Sequence, residues 1–133
     1  MAMVENAQPN SVRVLLIDDE IGYVNVLANR LSKRGFVVGK SSCGSEAFQT
    51  LRQQEFDVAI LDFKMVDMDG LEVLKVLKKM APEMVVIMLT GHGSAEAAHE
   101  GIRLGAYDYL TKPCELNDLI EKIMQAYRHK PDE

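Results

Sequence analysis

Apolar and polar positions along this chain follow two rhythms in turn. Short runs of mainly branched apolar residues alternate with stretches in which apolar residues recur every three or four positions. The first rhythm predicts strands covered on both faces, and the second predicts amphipathic helices. Residues 12–17 predict a first strand. Val24, Leu27, Ala28 and Leu31 then mark a helix that basic residues and Gly35 close. Residues 36–41 form a second, weaker strand, followed by a short helix that Ser45 introduces and that carries Ala47, Phe48 and Leu51. Residues 57–62 are a third strand, and Leu71, Leu74 and Leu77 mark a helix reaching Met80. Residues 84–90 are a fourth strand, with Ser94 as the N-cap of a helix through Leu104. Residues 107–110 make a short fifth strand. Leu116, Leu119, Ile120, Ile123, Met124 and Tyr127 then form the cleanest apolar stripe in the chain.

Five repeats of strand then helix with short connections predict an α/β, doubly wound parallel sheet with helices on both faces. The 133 residues suit one domain, and 47% hydrophobic content is enough for a core without disulfide or metal staples. No apolar run approaches the ~20 residues of a membrane helix, and the start of the chain lacks a signal-peptide pattern, so no membrane contact is expected. The net charge is −5, from 15 basic and 20 acidic residues, and no basic stripe stands out. Direct nucleic-acid binding is therefore not expected. Cys43 and Cys114 lie far apart in the chain and read as reduced thiols of a cytoplasmic protein.

The candidate chemistry sits at the strand ends. In an open α/β sheet, sites form outside the carboxyl ends of the strands. Asp18 and Asp19 follow the first strand, Asp62 ends the third, Thr90 ends the fourth and Lys112 follows the fifth. Singly, each has a bland reading: a cap, a turn residue, a surface lysine. Jointly, on four strands, they converge on one edge. Three gathered carboxylates repel one another and resist ionising together unless a divalent cation joins them. Mg²⁺ takes oxygen ligands at about 2.0–2.1 Å and keeps waters that a phosphoryl oxygen can replace. Lys112 adds a mobile ammonium and Thr90 a hydroxyl. The set reads as a site that stabilises a phosphoryl group passing onto a carboxylate.

The stretches LLIDDE, DVAILDFKMVDMDGLEVL, VVIMLTGHG and GAYDYLTKP resemble the receiver domain of bacterial two-component response regulators. The likeness runs from about residue 12 to residue 127. The resemblance implies a (βα)5 flavodoxin-like fold with strand order 2-1-3-4-5, an order that the spacing alone does not supply. It also implies a receiver domain over residues 12–128, between a disordered tail at 1–11 and a short tail at 129–133.

By that resemblance Asp62 is the phosphoacceptor, and Asp18, Asp19, Asp62 and the backbone carbonyl of Lys64 hold Mg²⁺. Thr90 is the switch hydroxyl, Lys112 the lysine that pairs with phosphate, and Tyr109 the aromatic that turns inward on activation. Gly91 leaves room beside Thr90. Lys64 and His92 flank the phosphoryl group and are expected to modulate its lifetime. The Lys112–Pro113 bond is expected to be cis, a form that costs little only before proline. The family often has Met-Pro after the acceptor loop, whereas here Val66 follows Met65.

The implied partners are a sensor histidine kinase or phosphotransfer protein, docking on the first helix, and an output domain or downstream protein. The implied output face joins the fourth helix, fifth strand and fifth helix, and the last helix allows a phosphorylation-dependent homodimer. The domain would catalyse its own phosphorylation and dephosphorylation while serving as a signalling module. Three other readings compete. A Mg²⁺-dependent phosphatase of haloacid dehalogenase type would carry two aspartates, one residue apart, after one strand, and a cap. A flavodoxin-like nucleotide binder would need a glycine- or hydroxyl-rich loop where this chain has DDEIG. A phosphate-independent docking module would not need the full acceptor set.

Overall fold

The computed structural model describes residues 12–65, 68–91 and 95–130. The tail expected over residues 1–11, the N-cap expected at Ser94, Val66 and His92 lie outside them. The elements are β1 (Arg13–Ile17), α1 (Ile21–Lys33), β2 (Val37–Ser41), α2 (Gly44–Gln53), β3 (Val58–Asp62), α3 (Gly70–Met80), β4 (Val85–Thr90), α4 (Ala95–Arg103), β5 (Asp108–Thr111) and α5 (Leu116–Arg128). The strands form one sheet in the order β2-β1-β3-β4-β5, every neighbouring pair parallel. Among the described residues, no helix is long and apolar enough to cross a membrane.

Alternation along the strands divides the interior in two. Val14 and Leu16 point to the layer made by α1 and α5, where Leu27, Leu31, Leu119 and Ile123 are buried. Leu15 and Ile17 point to the opposite layer, where Leu74 and Leu77 of α3 and Ala98 of α4 are buried. All residues of β3 and β4 are buried, which is why both strands read as unbroken apolar runs. β2 lies at the edge of the sheet with Val37 and Lys40 exposed, which accounts for its weaker signal. β5 begins one residue later than its apolar pattern suggests. Tyr107 instead donates its backbone N–H to Val86 O at 2.7 Å, and the strand runs on to Thr111 opposite Thr90.

Two glycines shape the connections. Gly35 has φ 97°, a left-handed conformation that ends α1 and lets Phe36 N–H close on Leu31 O at 3.2 Å. Gly70 opens α3 where a Cβ would stand 2.6 Å from Phe63 O, so α3 rests directly on the backbone just after Asp62.

The amino end of the sheet is tied by a buried carboxylate. Asp57 accepts hydrogen bonds from Arg13 N (2.8 Å), Nε (3.2 Å) and Nη2 (3.0 Å), and from Lys130 Nζ (2.6 Å). Burial acts to raise the Asp57 carboxyl, but the bonds from Arg13 and Lys130 outweigh it and hold it below the ordinary value. Lys130, assigned to the carboxyl-terminal tail from sequence, is thus anchored to the sheet.

Candidate functional site

The carboxyl edge of the sheet is assembled by register. Ile17 pairs with Leu61, so the residues that follow, Asp18 and Asp62, lie side by side. Asp62 pairs with Leu89, which places Thr90 one step beyond, and Thr90 pairs with Thr111 just before Lys112. Lys112 N–H donates to Thr90 O at 2.6 Å, joining the ends of β4 and β5. The Lys112–Pro113 peptide is cis. Asp18 Oδ1 accepts the Glu20 N–H at 2.9 Å and so turns the chain from β1 into α1. That bond also fixes the rotamer of Asp18.

One oxygen from each of Asp18, Asp19 and Asp62 lies within 4.8 Å of the others. Asp18 and Asp62 are buried, and Asp19 is half-buried. The Lys112 ammonium sits 2.8 Å from Asp18 Oδ2, 2.7 Å from Glu20 Oε1 and 3.7 Å from Asp62 Oδ1. Its nearest carboxylates are therefore Asp18 and Glu20 rather than Asp62. The ring of Tyr23 lies beneath it, 4.7 Å from Nζ to the centroid.

Burial and charge crowding both act on the Asp62 carboxyl. Burial first and the neighbouring Asp18 second push its carboxyl up to about 6, partly offset by Lys112 and by the Lys64 backbone N–H. Burial works against the Lys112 ammonium, but its hydrogen bonds to Asp18 and Glu20 outweigh this and raise it further. Lys112 stays a cation at any physiological pH. The donor chemistry of the cluster suits a hard divalent cation. Three carboxylates in so small a space are mutually costly without one, and all three present oxygen ligands.

The remaining expected site residues fall as follows. Thr90 is buried at the end of β4. Lys64 has an exposed side chain, while its backbone N–H bonds the Asp62 carboxylate. Gly91 is exposed, and a Cβ there would meet nothing within 4 Å. Tyr109, opposite Met88 in the sheet, is half-buried against the α3–α4 layer. Glu20 and Tyr23 had no assigned role from sequence. Glu20 is the third acid of LLIDDE, whereas no sequence spacing marks Tyr23.

The response regulator receiver domain family matches residues 14–124. This chain belongs to that family. It is 32% identical over 120 residues to the transcriptional regulatory protein ZraR of Escherichia coli, covering 90% of this chain and 27% of ZraR. It is 35% identical over 116 residues to the alginate biosynthesis transcriptional regulatory protein AlgB of Pseudomonas putida, covering 87% and 26%. The chain spans about a quarter of the length of these curated relatives.

A CheY-like response regulator receiver domain protein from Methanospirillum hungatei superposes with TM-score 0.85 at 30% identity, over 90% of this receiver and 95% of that chain. NtrX from Brucella abortus superposes with TM-score 0.85 at 31% identity, over 89% of this receiver and 27% of NtrX. The receiver is a signalling module, and the phosphatase reading is set aside. The acidic pair and the acceptor candidate leave different strands, β1 and β3, rather than one.

Proposed function

We propose that this receiver accepts a phosphoryl group on Asp62 from the phosphohistidine of a sensor histidine kinase or phosphotransfer protein. The observation that carries this reading is the meeting of Asp18, Asp19, Asp62 and Lys112 from three strand ends at one buried edge. An Asp62 carboxylate oxygen attacks phosphorus in line. The new O–P bond forms as the P–N bond breaks, and the bonding pair leaves on the imidazole nitrogen. Lys112 swings from Asp18 and Glu20 to the phosphoryl oxygens as negative charge gathers there. The Thr90 hydroxyl donates to the same group. Mg²⁺ bound by Asp18, Asp19, Asp62 and the Lys64 carbonyl would neutralise charge on the equatorial oxygens. Water later attacks the same phosphorus, the O–P bond to Asp62 breaks, and inorganic phosphate leaves with Asp62 restored as a carboxylate. Lys64, His92 and the open flank at Gly91 set how readily that water arrives.

Drawing Thr90 toward the phosphoryl group opens space that Tyr109 fills, which alters the face built by α4, β5 and α5. Such a change is a shift between two populated states. An output domain or a protein partner, or a second copy of the receiver, reads that face. The proposed setting is the cytoplasm, and neither nucleic acid nor membrane is a direct ligand of this domain.

Intact mass after incubation with Mg²⁺ and phosphoramidate tests the reading. One added phosphoryl group, absent from Asp62→Asn and blocked by chelator, is the expected result. Continuous hydrolysis of the donor with no adduct would return the phosphatase reading.

A further inference from the structure

The contact between Tyr23 and Lys112 has no part in the chemistry described so far. Nζ stands over the ring at 4.7 Å, within the range at which an aromatic face attracts a cation. Tyr23 sits in the first turn of α1 and is itself packed against the α1–α5 core layer, so the ring is anchored. Among the described residues, the ammonium's ion-pair partners are the carboxylates of Asp18, Glu20 and Asp62.

We propose that Tyr23 is a positioning residue for phosphoryl transfer, its ring face serving as the platform that keeps the Lys112 ammonium beside Asp62 while the carboxylates around it change partners. The inference rests on the phosphoacceptor reading above. Lysine carries its charge on a long flexible stem, and a useful phosphate partner must be held without being consumed. A carboxylate holds an ammonium by taking up one of its three N–H donors. An aromatic face holds it through the ring quadrupole and leaves those donors available for phosphoryl oxygens. The carboxylates are also the groups whose charge is committed elsewhere during the reaction: Asp62 becomes an acyl phosphate, and Asp18 would hold the metal. Glu20 is exposed and tethers the lysine away from Asp62. The ring carries no formal charge that the reaction alters, so its attraction for the ammonium does not depend on which carboxylates are free.

The test compares Asp62 phosphorylation rates, with phosphoramidate and Mg²⁺, in the parent, Tyr23→Phe and Tyr23→Met. A further set carries phenylalanine bearing one, two or three ring fluorines at position 23. Phenylalanine keeps the ring and should stay within about twofold of the parent. Methionine keeps bulk without the quadrupole and should be slower by about three- to tenfold. Added fluorine should lower the rate stepwise at unchanged melting temperature. A purely packing role would not produce that gradation. Equal rates for the Phe and Met variants with no fluorine trend would overturn the proposal, and so would a Phe variant as slow as Met, which would assign the work to the hydroxyl.

A parent that forms no adduct on Asp62 would instead break the phosphoacceptor reading. The platform is then judged from the NMR shift of the Lys112 ε protons. An upfield ring shift shared by parent and Phe but lost in Met supports it, and identical shifts in all three overturn it.

Discussion

Lys130 Nζ lies 2.6 Å from Asp57 Oδ1, so a residue beyond α5 is fastened to the carboxylate that precedes β3. Arg13 completes the arrangement from β1. Asp57 is buried, whereas Arg13 and Lys130 are partly exposed and reach water when it loses its charge. Asp57→Asn should therefore cost about 1–3 kcal/mol of stability at neutral pH, read from the denaturant midpoint. The sign with pH follows from the depressed carboxyl. The stabilisation is present above the unfolded value near 4 and is lost as pH falls through the lower native value. Parent and variant should converge in strong acid.

Asp62 should behave in the opposite sense. Its carboxyl is raised to about 6 in the folded chain, so its contribution is complete below the unfolded value near 4 and is lost as pH rises through 6. Metal-free Asp62→Asn should be more stable than the parent by about 1–3 kcal/mol at pH 8 and equal to it below pH 4. Adding Mg²⁺ should raise the parent's melting temperature more than the variant's. A parent whose metal-free stability is flat between pH 4 and pH 8 would contradict the crowding of Asp18 and Asp62.

Glu20 holds Lys112 at 2.7 Å from an exposed position. Glu20→Gln should leave the fold unchanged and speed phosphorylation by phosphoramidate by about two- to fivefold, because the ammonium loses a competitor to Asp62. A gain that acts by releasing the lysine should vanish in a Lys112→Ala background, and a gain that persists there would assign the effect to simple relief of repulsion toward the donor and count against the tether.

Gly70→Ala brings a methyl group against the Phe63 carbonyl, a backbone atom that cannot rotate away. The expected cost is about 1–3 kcal/mol, measured by thermal melting. Because Phe63 follows Asp62 directly, the displaced backbone should also slow acyl phosphate formation in the fraction that remains folded. A variant with parental stability and rate would show that α3 can retreat freely.

The elements were legible because burial on both faces turns strands into unbroken apolar runs and burial on one face turns helices into stripes. β3 shows this most clearly, since its five apolar or acidic residues are all buried and only the last is charged. The clustering of Asp18, Asp19 and Asp62 was legible because LLIDDE and DVAILD both pass from apolar to acidic at a strand end. Other features left no such trace. Arg13 and Lys130 reach Asp57 across 44 and 73 residues, and no local spacing announces a pair that only the closed sheet brings together. Tyr23 reads as one more apolar position beside Val24, and its ring acquires a purpose only when β5 delivers Lys112 above it. The preference of Lys112 for Asp18 and Glu20 depends on side-chain distances that sequence does not encode.

The strict division of each strand between two layers bears on how this chain can drift. Val14 and Leu16 serve one layer and Leu15 and Ile17 the other, so a substitution disturbs one side and can be accommodated there. Insertion or deletion of a single residue within β1 or β3 would exchange the two sides at once and carry an aspartate past its neighbour at the rim. Lineages of this receiver should thus vary freely in the identity of their strand residues while the count of residues between Arg13 and Asp18, and between Val58 and Asp62, stays constant.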